Sequence, residues 1–215
     1  MTGFVYIIES PSARDLLDGR TEGRALSEVL SLAEIPHWYS LVTTQETFDT
    51  ALNKRLVEAW EHFRQPPILH LSMHGNNVGV ALTNDTFLLW AELRELLIPL
   101  TNFMEGGLLI CMSSCFGSFG RLMAMHEDAD YPFRALVGNN SSVSWSDAAV
   151  AYVTFYHLLF KGMSIEQCVE RMILASGNDK FDVWSGHDLK ASWIQYMAKA
   201  RKEQAAESLR RAIQA

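Results

Sequence analysis

A thiol and an imidazole are the two side chains of this sequence best suited to shared chemistry. Cys115 stands in Ser113-Ser114-Cys115-Phe116-Gly117, and His74 in Ser72-Met73-His74-Gly75. Each closes a short apolar run: Ile68-Leu69-His70-Leu71 precedes the imidazole, and Leu108-Leu109-Ile110-Cys111-Met112 precedes the thiol. A cysteine attacks as its thiolate, and an adjacent imidazole or a helix N-terminus favours that form. Glycine at 75 lets a backbone N–H approach closely, so its amide and that of Cys115 are candidates for an oxyanion hole around a tetrahedral intermediate. The plainer alternative is that Cys115 is one more small buried side chain, as free cysteines often are. Cys111, inside the apolar run, and Cys168, inside a helical pattern, read as packing residues.

Other chemistries find less support. His70 and His74 are four apart and share one face of a strand, which raises a metal site. No third Cys, Asp or Glu sits at ligand spacing, so no metal is expected and His70 reads as a satisfied core histidine. G-x-S-x-G, G-x-x-x-x-G-K-[ST] and G-x-G-x-x-G are all missing, which weighs against a serine hydrolase, a P-loop NTPase and a dinucleotide enzyme. No cofactor is expected.

The elements that must hold this pair follow from periodicity. Phe4 to Ile8 reads as a buried strand, residues 22–34 as a helix on Ala25, Leu26, Val29, Leu30 and Ala33, and Trp38 to Val42 as a second strand. Thr44 or Thr47 caps a helix running to about His62, and Pro66-Pro67 separates it from strand Ile68–Met73, which ends at His74-Gly75. A hairpin pairs Val78–Leu82 with Thr86–Leu89 around Asn84-Asp85. A short helix over Ala91–Leu97 and a turn through Glu105-Gly106-Gly107 lead to the strand before Cys115. Beyond it the pattern predicts a helix from Phe116 to His126, a strand Ala135–Gly138, and helices Asp147–Phe160 and Ser164–Ala175. Strands alternating with amphipathic helices mean a mostly parallel sheet covered on both faces, a three-layer α/β/α fold. In such sheets ligands bind beyond the carboxyl ends of strands, where both His74 and Cys115 fall.

The chain has 215 residues, 48% of them hydrophobic and 20% charged, which suits a globular core and excludes a disordered chain. The start, MTGFVYIIESPSARD, has no basic region ahead of its short apolar run, so a cytoplasmic protein is expected, with neither a membrane span nor a disulfide framework. Charge is uneven. Residues 189–215 carry six basic and two acidic side chains, a local +4, whereas the other twelve basic and twenty-three acidic side chains leave −11. An acidic body is a poor phosphate-backbone binder, so nucleic acid is not an expected partner. Leu189, Trp193, Tyr196, Met197, Ala200, Leu209 and Ile213 recur at helical spacing in that basic tail, either packed on its own domain or offered to a partner or a second copy.

Four segments in order, ILHLSMHG, the hairpin VGVALTNDTFLLW with AELRELL, GGLLICMSSC, and ALVGNNSSVSWSDAAVAYVTFYHLLFKGMSIEQCVERM, resemble the caspase-like (clan CD) cysteine peptidases of the CHAT-domain type. The resemblance covers about residues 1–180. It implies a caspase-like sheet, His74 as catalytic histidine, Cys115 as nucleophile and Gly75 with Cys115 as oxyanion amides. It also implies a peptidase domain over 1–188, followed by the helix of 189–215. Around Cys115 the sequence reads SSCFG rather than QACxG, and His74 precedes the cysteine by 41 positions, a pattern closer to divergent bacterial members than to true caspases. The implied function is a cysteine endopeptidase acting on a protein substrate. Its implied setting is bacterial stress or antiviral defence, with activation by a regulatory protein partner or by self-association. A non-catalytic interaction module on the same fold is the alternative. In the family, the segment matching Ser144-Trp145-Ser146-Asp147 lies beside the groove for the residue before the scissile bond (P1). A carboxylate there favours Arg or Lys at P1, while Asp147 as the N-cap of the following helix is the competing role.

Overall fold

A computed structural model describes residues 3–104, 107–128 and 130–214, with Ile213 and Gln214 described by their backbone alone. Glu105 and Gly106 of the expected turn, and the side chain of Ile213, lie outside the described residues. Six strands form the main sheet in the order β2-β1-β3-β6-β7-β8: β1 Phe4–Ser10, β2 His37–Leu41, β3 Pro67–Asn76, β6 Leu109–Ser113, β7 Ala135–Asn139 and β8 Phe181–Ser185. The first five are parallel and β8 runs antiparallel along β7. Strands β4 Gly79–Ala81 and β5 Phe87–Leu89 form the expected hairpin.

Side chains alternate between two cores, as the two-residue period requires. Tyr6, Ile8, Leu69, Leu71, Ile110 and Met112 face one helical layer, and Val5, Ile7, Ile68, Leu109, Cys111 and Val137 face the other. The first layer holds α3 Gln45–Thr50, continued by a π-helical turn into α4 Leu56–Phe63, together with α5 Trp90–Phe103. The second holds α2 Glu22–Leu32, α6 Trp145–Phe160 and α7 Ile165–Ser176. Every residue of β1 is buried, because a central parallel strand has a helix layer on each face. The three-layer α/β/α reading is therefore the fold observed.

Several local expectations change. Strand β3 does not stop at His74-Gly75 but continues into antiparallel pairing with β4, His74 opposite Ala81 and Gly75 opposite Val80. The helix expected from Phe116 is a 3₁₀ helix, Gly117–Ala124, entered through Phe116 in the left-handed region at φ 57°. Two glycines weaken α-helix there, and the segment runs so low over the sheet that a Cβ on Gly117 would lie 2.7 Å from the Met112 carbonyl oxygen. The short α1 Ala13–Leu17 and strand β8 were not expected. The final helix, α8, spans Gly186–Gln214, so the anticipated boundary at 188/189 falls within its first turn, where Leu189 and Lys190 are buried. No helix among the described residues is long and apolar enough to cross a membrane.

Candidate active site

The carboxyl ends of β1, β3, β6 and β7 lie side by side, and both expected residues stand there. His74 follows the last parallel pairing of β3, Ser10 with Met73, and Cys115 lies two residues past β6. A cavity of about 60 Å³ is lined by both, with Met73, Ser113, Ser114, Val143, Trp145 and Ala148. A much larger depression of about 550 Å³, around Arg134, Glu166 and Asp188, lies at the opposite end of the sheet and lacks any thiol or imidazole. Chemistry rather than size therefore selects the smaller one.

The imidazole is held on two sides. The Trp145 ring meets it edge-on with centroids 5.3 Å apart, and Nε2 lies 2.6 Å from Asp15 Oδ2. Burial pushes the Asp15 carboxyl up, but hydrogen bonds from Ser12 and His74 and the nearby Arg20 outweigh this and leave it below the usual carboxylate value. An ionised carboxylate only accepts, so Nε2 carries the proton and Nδ1 is the basic nitrogen. Asp15 sits in α1, whose N-cap Ser12 accepts from the Asp15 amide at 3.1 Å and donates to its carboxylate at 2.6 Å. Sequence reading missed this acid. Its available signal was the Ser-x-x-Asp spacing of a helix start.

Cys115 is half-buried, and its sulfur partners among the described residues are both on Val143: the amide donates to Sγ at 3.4 Å and the thiol donates to the carbonyl at 3.6 Å. The Phe116 amide donates to the Ser141 carbonyl at 2.8 Å, which ties the cysteine loop to the segment after β7. The expected helix N-terminus at Cys115 is therefore corrected. The Phe116 and Gly117 amides are spent on Ser141 and Ser114, and the N–H that reaches the sulfur belongs to Val143. Glycine at 75 is a steric requirement, since a Cβ there would stand 3.0 Å from the Cys115 carbonyl oxygen and 3.3 Å from Ser114 Cβ.

The N-cap of α6 is Ser144, not Asp147: its hydroxyl accepts from the Asp147 amide at 3.1 Å. Asp147 does not line the cavity and accepts from Asn178 Nδ2 at 3.4 Å. His70 is fully buried, with Nδ1 2.9 Å from the Tyr156 hydroxyl and Nε2 3.4 Å from Glu22. Among the described residues no group of three or more His, Cys, Asp or Glu could hold a metal ion. Burial pushes the Cys111 thiol up to about 12, against a smaller opposite effect of a Tyr156 hydrogen bond.

No protein-family model matches the chain, and no curated protein does. Among solved structures, it is similar to the complex of Porphyromonas gingivalis RgpB pro- and mature domains, with a TM-score of 0.50 at 10% identity. The match covers 84% of this chain, which spans less than half, 46%, of that one. The likeness gives this chain a caspase-like fold.

Proposed function

We propose that the chain is a cysteine endopeptidase of the caspase-like type. The observation that carries this is the meeting of His74, held by Asp15, and Cys115 on one cavity at the carboxyl ends of the parallel strands. His74 Nδ1 takes the thiol proton, Sγ attacks the peptide carbonyl, and the imidazolium returns the proton to the leaving amine. The amides of Gly75 and Cys115 supply the oxyanion site. Asp15 keeps the imidazole in the required tautomer and stabilises the imidazolium. Attack requires the sulfur to leave Val143, so the arrangement is a resting one.

The substrate is a protein or peptide, with Arg or Lys at P1 favoured by the acidic body; Asp147 reads it by exchanging its long Asn178 bond for the incoming cation. Ser144 and Trp145 border that groove. A regulatory protein partner, or a second copy meeting α8, shifts the thiol from its resting place, as suits a cytoplasmic stress or antiviral-defence protease of the CHAT type.

The test is a peptide-library digest with wild type, Cys115→Ala and His74→Ala, each checked for fold by circular dichroism. Cleavage by wild type alone, dominated by P1 Arg or Lys, is expected. Cleavage that survives Cys115→Ala refutes the nucleophile. A folded wild type that cleaves nothing, with or without a cell extract to supply the activator, leaves the fold as a docking module.

A further inference from the structure

Beneath the thiol and the imidazole lies a set of hydroxyls with nothing to bond. Ser72, Ser113 and Ser114 are at most 3% exposed, and among the described residues none of their side-chain oxygens has a hydrogen-bond partner. They are adjacent by register: Ser72 pairs with Ser113 across β3 and β6, and Ser114 follows. Ser72 lies on the same face of β3 as His70 and His74, the face that α6 covers. Ser113 and Ser114 both line the cavity that His74 and Cys115 share. A buried hydroxyl without a partner is costly, and native structures pair such groups with protein or with ordered water. The cavity of about 60 Å³ has mixed walls, with the polar groups of His74, Ser113 and Ser114 among Met73, Val143 and Ala148, and has room for roughly two water molecules.

We propose that this cavity is a hydration site, its water held by Ser113 and Ser114 and backed by Ser72, and that this water hydrolyses the acyl-enzyme. The second part rests on the peptidase reading; the first does not. In the hydrolytic step the water oxygen bonds to the acyl carbon as the carbon–sulfur bond breaks. One water proton passes to His74 Nδ1 and on to the departing Cys115 sulfur, restoring the thiol, and the product acid carries the hydroxyl.

Two measurements separate the parts. A high-resolution crystal structure of wild type is expected to show water within hydrogen-bond distance of Ser113 or Ser114 Oγ, lost in Ser113→Val, where the added methyls fill the space. A dry cavity, or hydroxyls turned onto main-chain carbonyls, overturns the site. Stopped-flow cleavage of a chromogenic ester then reads the two halves of the reaction. Ser113→Ala and Ser114→Ala are expected to keep the acylation burst but slow the steady phase about tenfold, the size of one lost hydrogen bond to a bound water. Equal slowing of both phases overturns the hydrolytic role. A folded wild type that cleaves no ester, with or without the cell extract that supplies the activator, removes the peptidase reading and the hydrolytic role with it, while the crystal structure still decides whether the water is there.

Discussion

Replacing Asp15 by Asn removes a charge while keeping the shape of the group that holds His74. The bond it alters is 2.6 Å long and joins a carboxylate only 12% exposed to an imidazole 44% exposed. A hydrogen bond to an ionised partner contributes about 1.5–3 kcal/mol, and the half-open imidazole places this one near ~2 kcal/mol because solvent screens it. That interaction is fully developed only when the imidazole is protonated in flight between sulfur and leaving amine, so its loss falls on the transition state. A loss of ~2 kcal/mol corresponds to a fall of roughly 30-fold in kcat. KM should stay near the wild-type value, because Asp15 touches the imidazole and not the substrate. Steady-state cleavage of a single chromogenic peptide measures both, and Asp15→Glu should recover part of the rate. A folded Asp15→Asn protein with kcat within twofold of wild type, or one impaired only in KM, would refute the reasoning.

The same carboxyl, held low in the folded state, stabilises the protein above its unfolded value of about 3.9, and this contribution fades as pH falls through its lower folded value. Urea titrations of wild type and Asp15→Asn should therefore converge below about pH 4. Alkylation of the native chain followed by mass spectrometry should modify Cys115, whereas Cys111 and Cys168, both buried and with thiols pushed up by burial, react only after unfolding. Ser144→Ala should cost about 1 kcal/mol as a lost N-cap, read as a Tm lower by roughly 2–4 °C. Deleting residues from 201 onward should leave Tm almost unchanged, because the described side chains there are exposed and the Arg201–Glu127 pair is a surface one. Sedimentation of the same truncated protein should show weaker association, and unchanged association would retire α8 as a docking element.

Most of the fold was legible because its strands are apolar runs bounded by proline, glycine or serine. Two elements were not. Helix α1 has five residues, too few for a 3.6-residue period to show, and it carries Asp15, the acid that holds His74. Strand β8, Phe-Asp-Val-Trp-Ser, is a sheet edge whose half-buried residues lack the continuous apolar character of the inner strands. His74 and Cys115 were found because each follows a strong strand. Their partners were hidden because main-chain contacts such as Val143 with the sulfur leave no trace in residue type. Asp147 was misplaced as a cap because α6 starts two residues before it, at Trp145, where Ser144 caps the helix by accepting from the Asp147 amide.

The reversed direction of β8 divides the molecule into two ends. Its first residue, Phe181, pairs with Asn139 at the end that holds His74 and Cys115, and its last, Ser185, pairs with Ala135 at the other, where α8 begins. Helix α8 therefore starts at the end of the sheet opposite Cys115. Between the two ends Trp184 Nε1 donates to Ser118 Oγ at 2.9 Å, which fastens β8 to the 3₁₀ helix three residues past Cys115. Helix α8 also packs directly on that 3₁₀ helix, so the tail and the segment that follows Cys115 share one support.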